Sequence, residues 1–181
     1  MIMKGAGKLA EVETSAGQAG PAAVTITHCP GIEKRLIKAI TQDAVSTGPK
    51  FEPQGWGVCR IAPGEVLLVQ DDAATVENIA PGYDSDSERL TVDATSAYQM
   101  VRVEGAMAGA LLAKAATIDL DPAAFPTGAF AVCRFGIYRV GLRHLEEAVY
   151  DCLVDRSLVG DLVSYLMDLG REFEAREAIK R

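Results

Sequence analysis

The order of apolar and polar positions divides the chain into short strand-like and helix-like segments. Val24 and Ile26 alternate with threonines, which predicts a strand, and Pro30-Gly31 ends it. Ile32, Leu36, Ile37 and Ile40 then recur at helical spacing and predict a helix. Gly48-Pro49 breaks the chain. Trp56 to Ile61 reads as a strand, Pro63-Gly64 as a tight turn, and Val66 to Val69 as the return strand of a hairpin. Asp71 or Asp72 is placed to cap a short helix through Val76 and Ile79. Pro81 to Glu88 reads as an acidic loop, after which Leu90 and Val92 begin another strand.

The second half follows a related plan. Met100, Val101 and Val103 form a strand broken at Gly105. A helix over 106–115 carries Met107, Ala110 and Leu111 on one face, and Gly105 and Gly109 let it approach a neighbour closely. Ala129 to Phe135 and Ile137 to Leu142 are strands around Gly136, and Val149 to Val154 is a third. Ser157 is placed to cap the last helix, whose Leu158, Leu162, Tyr165, Leu166, Leu169 and Phe173 fall on one stripe.

The two halves repeat at a constant offset of 74 residues: Gly31 meets Gly105, Phe51 meets Phe125, and Val58-Cys59-Arg60 meets Val132-Cys133-Arg134. The fold class that follows is α+β, with two similar βαββα-type halves at about 22–95 and 96–181. Each half has too little sheet to bury its helices alone, so the two are expected to share a core. Residues 1–21, rich in Gly, Ala, Ser and Lys without a sustained period, read as a flexible tail.

Composition narrows the function classes. The 181 residues are 49% hydrophobic and 24% charged, which is ordinary for a folded chain. Eighteen Lys and Arg against 25 Asp and Glu leave a net charge of −7, unfavourable for neutralising nucleic-acid phosphates. Lys34, Arg35 and Lys38 read as the wet face of the first helix. No apolar run is long enough for a membrane helix, and the first residues lack the apolar core of a secretory signal. Cys29, Cys59, Cys133 and Cys152 stand at no metal-ligand spacing. Three of them lie in strand-like runs and read as buried reduced thiols, consistent with a cytoplasmic protein.

Candidate chemistry is sparse. No G-x-S-x-G elbow and no G-x-G-x-x-G fingerprint is present. Gly5-Ala6-Gly7-Lys8 resembles a phosphate loop but lacks its spacing. His28 adjoins Cys29, but neighbours on a strand point to opposite faces. His144, in Arg143-His144-Leu145-Glu146-Glu147, reads as part of a solvated hairpin tip. Asp84, Asp86 and Glu88 alternate, but lack the Gly and the bidentate Glu of a calcium loop. Asp93 ends a strand, where it either faces a cleft and binds a polar ligand or caps the following turn. In the loop 118–128, Pro122 and Pro126 fix the backbone and Phe125 needs an apolar contact. Phe125 is either an anchor for a rigid loop or part of a surface presented to a partner.

These segments carry a family resemblance. Val92-Asp93, Val101-Arg102-Val103-Glu104-Gly105, Leu111-Leu112-Ala113-Lys114, the run Asp119-Leu120-Asp121-Pro122-Ala123-Ala124-Phe125-Pro126-Thr127-Gly128, and Asp151-Cys152-Leu153-Val154-Asp155-Arg156-Ser157 follow in order. Together with the terminal amphipathic helix they resemble the gamma subunit of heterotetrameric sarcosine oxidase. The D-L-D-P-x-x-F-P-x-G loop and the V-x-R-S entry to the last helix are the most specific features. The match is good over about 90–175. It is weaker over 24–80, where Pro63-Gly64-Glu65-Val66-Leu67-Leu68 is similar to the family's G-P-x-E-W-L-L, with Val66 where Trp is common.

The resemblance implies a fold like that of the folate-binding aminomethyltransferases of glycine cleavage. It implies an accessory, non-catalytic subunit of a complex that oxidatively demethylates sarcosine and passes the one-carbon unit to tetrahydrofolate. It further implies alpha, beta and delta partner subunits, with FAD, FMN, NAD, tetrahydrofolate and zinc held on those subunits and none on this chain. No catalytic residue carries over. Trp56, Phe125, Phe130 and Tyr138 are the candidate partner contacts. The alternative is a stand-alone folate-binding aminomethyltransferase-like protein, in which Asp93 would hold the pterin amino group.

Overall fold

A computed structural model describes residues 23–39, 56–70 and 89–179. The expected tail, the helix after Asp71 or Asp72, and the acidic loop lie outside those residues. Ten strands form two sheets among the described residues. The larger contains β1 (Thr25–Cys29), β6 (Tyr98–Glu104), β7 (Phe130–Phe135), β8 (Tyr138–Glu146), β9 (Val149–Asp155) and β10 (Arg176–Ile179), in spatial order β10-β1-β6-β9-β8-β7. The smaller contains β2 (Lys34–Ala39), β3 (Trp56–Ala62), β4 (Glu65–Gln70) and β5 (Arg89–Asp93), in order β3-β4-β2-β5. Among the described residues there are two α-helices, α1 (Ala108–Ala115) and α2 (Val159–Leu169), and the fold is α+β as the pattern implies.

The large sheet separates two cores, because its strands alternate apolar residues onto both faces. On one face Ile26, Val101, Val103, Phe135, Leu142 and Cys152 pack under the helices, with Leu111, Leu112, Leu162 and Leu166. On the other face Cys29, Met100 and Leu153 meet Cys59, Ile61, Leu67 and Val69 of the small sheet. Arg139 Nη2 donates to the Ile61 carbonyl at 2.6 Å and ties the two sheets together. The repeated Val-Cys-Arg stretches fall on β3 and β7, each the outermost strand of its sheet.

Turn chemistry explains several ends. The β3–β4 hairpin closes at Gly64 (φ 73°) and the β7–β8 hairpin at Gly136 (φ 57°), both left-handed positions that favour glycine. Gly105 has φ 122°, and a Cβ there would stand 2.5 Å from the Ala23 carbonyl oxygen. Only glycine lets β6 turn this closely past the start of β1.

Three expectations need correction. The segment predicted as a helix from Ile32 to Ile40 contains β2, which is flanked by β4 and β5. Leu36 faces the large sheet while Ile37, its neighbour, is 2% exposed on the opposite face. A strand covered on both sides loses the simple alternation, and its apolar residues here mimic helical spacing. The basic residues of this segment are therefore no helix face. Lys34 is fully buried, its ammonium donates to the Ile32 carbonyl at 2.7 Å, and burial lowers its pKa against a smaller raising effect from Cys29. Arg35 pairs with Glu33 and Lys38 with Glu65. Finally, Ser157 does not cap α2. A 3-10 turn over Arg156–Leu158 precedes the helix, and no side chain caps its first turn.

Candidate functional site

Among the described residues, polar groups gather in three places. The first is a cavity of about 390 Å³ on the helix side of the large sheet, where β1 ends, β6 begins and α2 starts. His28 and Gln99 form its floor. Gln99 Nε2 donates to the carbonyls of Thr95 and Tyr98 at 3.2 and 3.1 Å, which turns Oε1 toward His28 Nε2 at 3.0 Å. An amide oxygen only accepts, so the bonding network assigns that proton to Nε2 and leaves Nδ1 as the second ring nitrogen. Thr95, Ser96, Arg156 and Val159 also line it. Cys29, beside His28 in sequence, points to the opposite face and is buried against the small sheet. No thiolate–imidazole pair forms, as strand geometry predicts.

The second is a row of charges across the small-sheet face. Register aligns Arg102 on β6 with Asp151 on β9, and Asp151 with Arg143 on β8. Asp151 is 1% exposed. Its Oδ1 accepts from Arg102 Nε at 2.8 Å, and its Oδ2 accepts from Arg102 Nη2 at 3.3 Å and from Arg143 Nη2 at 2.9 Å. A carboxylate this deep is tolerated because opposite charges and hydrogen bonds surround it. This row has the form of a structural clamp holding three strands in register.

The third is a stack of rings. His144 lies between Tyr150, 4.5 Å away between centroids, and Phe125, 6.1 Å away, with all three rings near parallel. His144 Nδ1 is 2.9 Å from the Phe125 carbonyl. The expectation of a solvated His144 is thus corrected. β8 extends through Glu146, so the hairpin tip falls later, at Glu147 and Ala148. His144 pairs with Tyr150 inside the ladder and is 6% exposed. Phe125 is 5% exposed and anchors the loop, so it offers no surface to a partner. Asp121 reinforces that loop by accepting from the Ala123 N–H through its side chain.

The remaining predicted residues fall elsewhere. Asp93 is exposed, and its Oδ1 accepts from the Thr95 N–H at 2.9 Å, which lowers its pKa. It caps a turn, the second of its two expected roles, and the cavity's lining does not include it. Phe130 packs against the small-sheet core and Tyr138 leans on Tyr165, so both are half-buried. The Trp56 side chain lies outside the described residues. All four cysteines are buried, and burial pushes the Cys133 thiol up to about 11 and the Cys152 thiol well above its ordinary value. Among the described residues, no three His, Cys, Asp or Glu cluster closely enough to hold a metal ion, and no helix is long and apolar enough to cross a membrane.

Sequence reading missed the Arg102–Asp151–Arg143 row and the His28–Gln99 pair. The available signal was a lone charge inside an apolar strand: Asp151 interrupts an otherwise apolar run from Val149 to Val154.

No family model matches the chain, and no curated protein matches it in sequence. Among solved structures, the chain is similar to a chain of heterotetrameric sarcosine oxidase from Corynebacterium sp. U-96, determined in complex with pyrrole 2-carboxylate. The TM-score is 0.70 at 23% identity, over 88% of this chain and 90% of that one. It is also similar to the glycine cleavage system aminomethyltransferase T from Bartonella henselae, with a TM-score of 0.55 at 10% identity. There the match covers 87% of this chain and 48% of the enzyme, so the chain spans about half of its length. The chain therefore has the fold of that sarcosine oxidase chain, one related to the aminomethyltransferases, as its sequence resemblance implies.

Proposed function

We propose that the chain is an accessory gamma-type subunit of a heterotetrameric sarcosine oxidase-type complex. The complex oxidatively demethylates sarcosine and passes the one-carbon unit to tetrahydrofolate, in the cytoplasm. Its flavins, nicotinamide, folate and zinc belong to alpha, beta and delta subunits. The observation that carries this reading is the fold match, which extends over nine-tenths of a chain from such a complex.

The use made of the polar groups supports it. Asp151, His144 and the buried thiols are committed to packing and ion pairing, where a catalytic centre would aim them at a common point. An accessory subunit also needs an apolar surface to dock. Leu90 and Val92, 54% and 44% exposed, stand on the outermost strand β5. Register places Val92 beside Leu36, on the face that packs against the large sheet elsewhere. A partner strand or helix would cover them.

Coexpression with alpha, beta and delta subunits tests the proposal. A stoichiometric complex that loses the chain on Leu90→Asp plus Val92→Asp substitution is the expected result. A chain that stays monomeric beside all three subunits, or that turns over sarcosine alone, refutes it. The fold similarity to an aminomethyltransferase favours one second reading, a stand-alone folate-binding protein. Asp93 does not fit the pterin-binding role in that reading, because it is exposed and engaged by Thr95. Calorimetric titration of the isolated chain with tetrahydrofolate separates the two: micromolar binding favours the second.

A further inference from the structure

We infer that the cavity between β1, β6 and α2 is a binding site for a small oxyanion, the carboxylate or phosphate group of a ligand. The chain is acidic overall, with 25 Asp and Glu against 18 Lys and Arg, yet among the described residues no carboxylate lines this cavity. Its lining includes Arg156, whose guanidinium makes no ion pair among the described residues. The Arg156 backbone is held in place, because its N–H donates to the Ala97 carbonyl at 2.9 Å. The cation is therefore anchored at its base while the residue is exposed.

The Thr95 hydroxyl is engaged with the Lys34 backbone, so the second donor to the cavity is a serine. Ser96 adds an exposed hydroxyl. On the floor, Gln99 is 6% exposed and spends both amide hydrogens on backbone carbonyls. That commitment fixes the His28 ring, so the imidazole enters the cavity in a set orientation. Pro30 and Val159 add apolar surface to the lining, and an oxyanion would make a charge-assisted bond to the guanidinium. A volume of about 390 Å³ admits a molecule larger than an isolated ion, so the oxyanion is one end of a metabolite-sized ligand. The site belongs to this chain alone, so its test does not depend on the assembly proposed above.

The test follows amide shifts of the full-length chain by NMR during titration with succinate, with inorganic phosphate, and with chloride, at constant ionic strength. Saturable shifts confined to Thr95–Gln99 and Arg156–Val159 are expected. Saturation by succinate only assigns a carboxylate, by phosphate only a phosphate, and by both the shared oxyanion chemistry. Arg156→Gln weakens binding by about tenfold or more, since a charge-assisted bond is lost. Ser96→Ala weakens it by a smaller factor, and Arg171→Gln, at an exposed arginine paired with Asp168, leaves it unchanged. Shifts that grow linearly with any salt, or equal affinity in Arg156→Gln, overturn the inference. Arg156 is exposed, so that variant keeps the fold, and a retained reference spectrum verifies it.

Discussion

Asp151→Asn isolates the contribution of the buried charge row. The substitution keeps shape and volume but removes the negative charge that faces Arg102 and Arg143. Asp151 accepts three hydrogen bonds from the two guanidiniums, at 2.8, 3.3 and 2.9 Å, while 1% exposed. Two of these are short and well inside hydrogen-bonding distance, and each bond to a charged group contributes about 1.5–3 kcal/mol. Removing one member of a buried ion pair costs about 3–5 kcal/mol, because the remaining cation stays desolvated. The expected loss is thus about 3–5 kcal/mol, a large share of the ~5–15 kcal/mol that holds a domain together. Urea unfolding followed by circular dichroism reads it directly. With a slope of about 2 kcal/mol per molar, the midpoint falls by about 2 M. Glu172→Gln is the control. It breaks an exposed pair with Lys114 and shifts stability by less than about 1 kcal/mol. Asp151→Asn within about 1 kcal/mol of the parent would refute the argument that this row clamps the sheet.

Further outcomes follow from the same structure. Phe125→Ala removes a 5% exposed ring stacked on His144 and costs about 3–5 kcal/mol; limited proteolysis should then cleave first between Asp119 and Gly128. Gly105→Ala combines φ 122° with a 2.5 Å approach to the Ala23 carbonyl and destabilises by more than about 2 kcal/mol. Gly160→Ala, in α2 with open space around it, stabilises by about 0.5 kcal/mol, and thermal melts compare the two. Cys133 ionises in the unfolded chain near 9.0 but in the fold only near 11. The folded state therefore holds more protons over that range, and stability falls as pH rises through it. Cys133→Ala should flatten that alkaline decline, and the parent's thiols should stay silent to a disulfide reagent at pH 8 until it unfolds.

Much of the second half was legible because its signals are local. Alternating apolar residues mark β6, β7 and β9, a helical stripe marks α2, and glycines mark the turns at Gly105 and Gly136. Burial of the cysteines followed from their neighbours in apolar runs. The site was far less legible. His28 and Gln99 are separated by 71 residues, and neither carries a motif. Asp93 allowed two roles that only the position of the Thr95 N–H distinguishes.

Sequence by itself therefore determined where most strands and both described helices lie, their turns, and the α+β class. Tertiary structure decided which segments pair. It made Lys34–Ala39 a strand by placing partners on both sides of it, and it made Arg176–Ile179 a strand by parallel pairing with β1, although four residues carry too little pattern to announce one. It buried His144 by continuing β8 two residues beyond it, and it aligned Arg102, Asp151 and Arg143 from three strands. The physical reason is range. Alternation and turn preference act between neighbours along the chain, whereas burial and charge pairing depend on residues brought together from far apart.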